Sequence, residues 1–251
     1  MYEAHPLFVQ PDNEDVKVWR YMDFTKFVSL LDSQRLYFTR TDKFDDPFEG
    51  SWPTINVDAR MSIPEGIPPD EHEPFLRQMK NMGEMNRYWP KFNAINCWHM
   101  NEHESAAMWK LYLKSDEGIA IQSTYRRLKE AITDDQQVFL GMVKYIDYEH
   151  EWIEAGNLLS PFVHKRKSFE HEREVRALVM KWPTGESALD FTQETITDGL
   201  KLKVDLEQLI EHVYVAPSAP TWLSNLVQSV AERYGYKFPV LQSKLNAQPV
   251  F

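Results

Sequence analysis

Glu172, Glu174 and Arg176 stand at a spacing of two in EREVRALVM. In an extended strand that spacing puts all three on one face, followed by Leu178, while Arg173, Val175, Ala177 and Val179 take the other. The second face is apolar after its first residue, so it points to a core. The first face is solvent, another layer or a cleft. Two carboxylates two residues apart lie roughly 6.5–7 Å from each other. That separation suits paired general acid–base work or the bridging of a cation. Arg176 on the same face can grip a carboxylate through both nitrogens, or a phosphate. The same alternation also describes a solvated, salt-bridged sheet face.

A second acidic group lies in KFDDPFEG, Lys43 to Gly50. Asp-Asp-Pro is a turn signal, and Asp46 is held extended by Pro47. Asp45, Asp46 and Glu49 are candidates there as ligands or hydrogen-bond acceptors, against the plainer reading of an Asx turn. Cys97, His99 and His103 cluster in CWHMNEHE, but the spacing straddles a strand and a helix start, so no metal site is expected. Trp109 and Tyr112 share a helix face at i, i+3, either as core or as an aromatic wall for a base. Lys165 and Lys167 form a compact basic patch, as does YRRLK from Tyr125. Glycine-rich dinucleotide, P-loop and nucleophile-elbow motifs are absent from the chain.

The whole chain of 251 residues is 43% hydrophobic and 26% charged, a globular composition, with a formal net charge of −10. Non-specific binding to duplex nucleic acid is not expected from so acidic a chain. One cysteine permits no internal disulfide and points to a reducing compartment. The N-terminus lacks the basic and apolar regions of a leader, and no apolar run reaches the roughly 20 residues of a membrane span. A cytoplasmic, soluble protein is expected; the sequence names no protein partner.

These residues need elements to hold them. DFTKFVSLLDSQ reads as a helix capped by Asp23 or Thr25, and RLYFTR as a strand. SIPEGIPPDEHEP, with four prolines, breaks regular structure. FLRQMKNMGEMNRYW is then a Met-rich helix, so a helical insertion of about 60–93 is expected in one domain spanning 1–251. NAINCWHM reads as a strand. Asn101 and Glu104 have capping-box spacing and would open the helix EHESAAMWKLYLK. GIAIQ is a short strand, and Ser123 or Thr124 caps YRRLKEAI. QVFLGMVKYIDY reads as one long strand, Leu158 to Glu170 as a helix, and VRALVMKW and GLKLKVDL as strands. Asp205 caps LEQLIEH, HVYVA is a strand, Thr221 caps WLSNLVQSVAERYG with Gly235 as its C′ residue, and KFPVLQS closes as a strand. The mixture lacks a strict βαβ rhythm. The fold class is α+β: a mixed β-sheet flanked by helices.

Several of these stretches together resemble a known family. VWRYMDFTKFVSLLDSQRLYFTRTDKFDDPFEG, SAAMWKLYLKSDEGIAIQ, the set Lys165, Lys167, Phe169, Glu172, Glu174 and Arg176, and VYVAPSAPTWLSNLV are similar to the prokaryotic domain-of-unknown-function 2971 family. That family usually has Trp at the place of Phe169 and Asn at that of Asp45. A more distant analogy is to the ADP-ribosyltransferase scaffold. It implies NAD as substrate, with Arg20 at the diphosphate or ribose, and Tyr21 or Tyr37 stacked near nicotinamide. It also implies Glu174, with Glu172 beside it, at the ribose, stabilising the cation left when nicotinamide departs. Trp109 and Tyr112 would line the base pocket. The segment WRYMD lacks the small hydroxyl residue that many members carry two places after the basic one.

Three functions follow as expectations. One is an NAD-consuming transferase or glycohydrolase, in the manner of a bacterial toxin or defence effector. Another is a metal-dependent nuclease or phosphoesterase using Asp45, Asp46, Glu49, Glu172 and Glu174. The third is a non-catalytic binding or regulatory module, with the charged strand as a structural network.

Overall fold

The computed structural model describes residues 1–112, 117–183 and 193–249. Among them, nine strands form one mixed sheet, with the order β11-β10-β4-β1-β3-β2-β9 and with β8 and β5 branching from β3. The strands that matter for the site are β1 (Lys17–Asp23), β2 (Arg35–Arg40), β3 (Asn93–Met100), β4 (Gly118–Thr124), β5 (Phe139–Met142), β8 (Glu174–Met180) and β9 (Gly199–Lys203). A separate two-stranded parallel ribbon joins β6 (Lys144–Ile146) to β7 (His164–Arg166). The α+β class, a mixed sheet flanked by helices, is the observed one.

The main core lies on the face that carries Val175, Ala177 and Val179 of β8, as their alternation predicts, together with Trp98, Phe27, Phe38 and Leu128. Helix α1 (Phe24–Ser33) packs Phe27, Leu30 and Leu31 there, and Asp23 caps it by accepting from the Lys26 amide at 2.7 Å. Thr124 caps α5 (Tyr125–Ala131), Asp205 caps the single turn α6 (Leu206–Leu209), and Gly235, at φ +91°, follows α7 (Thr221–Arg233). Strand β10 (His212–Val215) pairs in parallel with β11 (Val240–Gln242).

Several expectations are corrected. Leu158–Glu170 is not a helix: it forms a 3-10 turn at Ser160–Phe162, then β7, then a 3-10 stretch at Lys167–Glu172. Pro161 supplies no amide, and the His164 ring takes the Ser160 carbonyl that a helix would offer to the His164 amide. The long strand from Gln137 breaks at Val143, whose amide still bonds Glu174, while Lys144 turns to bond Val163. The helix expected from Glu102 starts only at Ala106 (α4, Ala106–Tyr112), because the Asn101 amide is held by Lys17 in the sheet, and Ser105 caps Met108 instead. Leu113 and Lys114 of that expected helix lie outside the described residues. Thr221 begins α7 rather than capping it; Pro220 occupies the cap position. Helix α2 (Thr54–Arg60), unforeseen, precedes the proline-rich break, and α3 (His72–Tyr88) follows it with none of its residues buried.

Sheet topology opens a cleft. Strand β8 pairs with β3 from Asn93 to His99. On the other edge, β1 holds β3 only at His99 and Met100, and β2 holds it only at Ala94 and Ile95. Between those grips, Asn96, Cys97 and Trp98 have no paired strand on that edge among the described residues. Side chains reach across instead: Arg20 donates to the Cys97 carbonyl and Asn96 donates to the Tyr37 carbonyl, both at 2.8 Å.

Candidate active site

The cleft deepens into a cavity of about 580 Å³. Of the residues singled out from sequence, Arg20, Tyr21, Tyr37, Asp45, Asp46, Glu49, Tyr112, Lys165, Glu172 and Glu174 line it. Three do not. Lys167 turns outward to Glu151, and Trp109 is buried behind the wall, its indole donating to Glu104 while Tyr21 meets it edge-on at 5.0 Å. Arg176 lies beneath the floor.

Arg176 organises that floor. Its side chain is 1% exposed, and all five guanidinium hydrogens are used. Nε and Nη2 donate to the two oxygens of Glu174 at 2.7 and 3.1 Å, and Nη1 and Nη2 donate to those of Glu49 at 2.6 and 3.2 Å. The remaining Nη1 hydrogen reaches the Phe162 carbonyl at 2.6 Å. Of the two roles its type allows, gripping carboxylates is the one it fills. Gly50 makes the approach of Glu49 possible: its φ is +71°, and a side chain there would meet the Phe162 ring at 2.5 Å. Lys165 adds a second cation, 2.5 Å from Glu172 and 3.4 Å from Glu174, with Phe169 beneath its ammonium.

Burial by itself would raise the Glu174 carboxyl. Arg176, Lys165 and a hydrogen bond from the Cys97 thiol outweigh it and hold the group down to about 2. Glu49 shifts the other way, because burial and the neighbouring Glu174 charge exceed what Arg176 returns. Burial pushes the Cys97 thiol well up, and Glu174 adds to it, so Cys97 is a poor nucleophile.

Glu172 does not continue the strand. It ends the 3-10 stretch, Arg173 takes a left-handed conformation at φ +41°, and β8 starts at Glu174. The two carboxylates therefore meet around Lys165 rather than along one extended strand. Glu172 is the more open, with 18% of its side chain exposed against 4% for Glu174. The acidic loop carries both of its readings: Asp46 makes an Asx turn to the Phe48 amide and also binds Arg166 at 2.6 Å, leaving its Oδ2 buried without a donor.

Arg20 contrasts with Arg176. Burial lowers its pKa from the usual value, yet among the described residues it makes no ion pair, and its one hydrogen bond goes to the Cys97 carbonyl. Several of its donors face the cavity unspent. Beside it, Tyr21 and Tyr112 stand nearly parallel, 21° apart, with ring centroids 6.5 Å apart. The Tyr21 hydroxyl accepts from the Ser105 amide, which fixes the ring against α4.

The sequence offers His99 only as a metal-ligand candidate with Cys97 and His103. It lines the cavity, pairs across the sheet with both Trp19 and Glu174, and is 5% exposed. Its Nδ1 lies 2.6 Å from the Glu172 carbonyl, which can only accept, so Nδ1 carries the hydrogen. The sequence signal was the alternation of Ile95, Cys97 and His99 on one strand face. His103 is exposed, and no three His, Cys, Asp or Glu side chains group as metal ligands among the described residues.

Behind the acidic loop a second recess of about 580 Å³ lies between α2 and α3. Glu49 borders both cavities. Trp52, Arg60, Lys80 and Arg87 line the recess, with the Arg60 guanidinium 4.3 Å above the Trp52 ring.

No family model matches the chain, and no curated protein matches it. Solved structures similar to it include DarT of Thermus sp. 2.9 in three complexes. The complex with NAD+ has 8% identity and a TM-score of 0.42, covering 94% of this chain and 98% of that one. The complex with ADP-ribosylated ssDNA has 8% identity and a TM-score of 0.41, covering 94% and 97%. The complex with carba-NAD+ has 8% identity and a TM-score of 0.38, covering 92% and 96%. The likeness is loose, at an identity that sets no residue equivalences.

Proposed function

We propose that the chain breaks the nicotinamide–ribose bond of NAD, as an ADP-ribosyltransferase or glycohydrolase, in the cleft between β1 and β3. The observation that carries this reading is the charge layout of one cavity: a half-buried guanidinium, Arg20, with no carboxylate partner among the described residues, lines the same walls as a carboxylate held ionised, Glu174. Arg20 supplies the forked donor that a diphosphate requires. Tyr21 and Tyr112 offer parallel ring faces for the base, and Tyr37 stands on the β2 side of the same cavity.

The chemistry follows from the layout. Cleavage sends the bonding pair of the C1′–N bond to the pyridinium nitrogen, which leaves neutral, and the ribose becomes an oxocarbenium cation. A fixed negative charge beneath the sugar lowers that cation in energy. Glu174, pinned by five-bonded Arg176, is such a charge and needs no rearrangement. Glu172, more open, is placed to accept from a ribose hydroxyl. Water or an acceptor then attacks C1′ and gives up its proton to solvent water.

A metal-dependent reading gains no support from the same contacts. Asp46, Glu49, Glu172 and Glu174 are each committed to Arg166, Arg176 or Lys165. A divalent ion would have to displace those cations from a buried network.

The test is nicotinamide release from NAD by the purified protein. Release is expected, and Glu174→Gln should slow it by about 10²–10³-fold, the scale of losing one preorganised electrostatic partner. Absence of release together with absence of NAD binding by calorimetry would discard the reading.

A further inference from the structure

We propose that His99 selects the base of the substrate, accepting a hydrogen bond from the carboxamide of nicotinamide and so rejecting the corresponding acid. The inference rests on the NAD reading above and adds a specificity residue to it.

The observation is an unspent acceptor. With Nδ1–H committed to the Glu172 carbonyl, Nε2 of neutral His99 carries a lone pair, and that atom is buried without any donor among the described residues. A buried acceptor left unmet is costly and uncommon, and at a cavity wall it points to a ligand group. The ring sits at the aromatic end of the cleft, its centroid 6.4 Å from that of Tyr21, which in turn faces Tyr112. Of the two tyrosines, Tyr21 is buried and Tyr112 is exposed, so a base can approach this end of the cleft from the Tyr112 side.

What can satisfy that lone pair is an N–H or O–H. A carboxamide brings two N–H donors in the plane of the base. A carboxylate brings none, and its charge would enter beside Glu172 and Glu174. Neutral His99 is therefore complementary to the amide and not to the acid, in the way that a site built to pair with one polar group refuses an analogue that lacks it.

Calorimetry with NAD and with nicotinic acid adenine dinucleotide tests this on the native chain, His99→Leu and His99→Gln. The native chain should bind NAD at least about tenfold more tightly than the acid form. His99→Leu, which has no acceptor, should lose that ratio mainly by weakening NAD. His99→Gln, whose amide turns to donate or accept, should keep NAD binding while admitting the acid. Equal affinities in the native chain, or an undiminished ratio in a folded His99→Leu, overturn the role of His99 and leave the NAD reading standing. Failure of the native chain to bind NAD at all removes the NAD reading first, and this inference with it.

Discussion

Arg20 and Arg176 show how one residue type serves two ends. Arg176 spends five hydrogens on two carboxylates and a carbonyl, so no shorter or single-pronged cation can replace it. Arg176→Lys should cost about 3–5 kcal/mol in chemical denaturation, the usual penalty for leaving buried charges without their partner. Among the described residues, Arg20 has only the Cys97 carbonyl to set against its desolvation. Arg20→Met should therefore leave stability within about 1 kcal/mol of the native value, the worth of one hydrogen bond, while abolishing binding of diphosphate ligands. A strongly destabilised Arg20→Met would show that this guanidinium is a structural strut and not a ligand group.

At the scale of elements, much of the scaffold was legible because it is written in local patterns. The apolar alternation of β8 and the stripe of α1 each need only a few neighbours to be read. What stayed hidden depends on partners far along the chain. Glu49 meets Arg176 across 127 residues, and nothing in KFDDPFEG signals that pairing. The helix expected at Leu158–Glu170 had the right composition, but Pro161 and the His164 ring divert its carbonyls, and β6 offers a ladder instead. Helix α2 is short and starts behind Pro53 without a side-chain cap, so it left little trace. Helix α3 was plain from sequence, and we regard residues 60–93 as an insertion on the single domain. Since α3 buries no residue, hydrogen exchange should find its amides opening well before those of β3 and β8. Equal protection in α3 and β8 would tie that helix to the cooperative core and end the insertion view.

The whole molecule registers the site through its response to pH. Among the described residues, no helix is long and apolar enough to cross a membrane. Burial lowers the pKa of His99 and of His164 below the ordinary 6.5. The unfolded chain then binds protons there before the folded one does. Their neutral burial favours the fold fully above pH 6.5, and that advantage is lost as pH falls below it. Glu174, held at about 2 against an ordinary 4.5, contributes stability above pH 4.5 that disappears as pH falls toward 2. Two groups act in the opposite sense: Glu49, whose carboxyl is raised by burial, and exposed His150, raised by its hydrogen bond to Asp147. Differences between variants separate these contributions. Measured by urea denaturation, native stability minus that of His99→Gln should narrow between pH 7 and pH 5. Native stability minus that of Glu174→Gln should hold steady across that range and narrow only below pH 4.5. A Glu174→Gln difference that already shrinks between pH 7 and pH 5 would mean that Arg176 and Lys165 do not keep this carboxylate charged, and the fixed negative charge beneath the sugar would be gone from the mechanism.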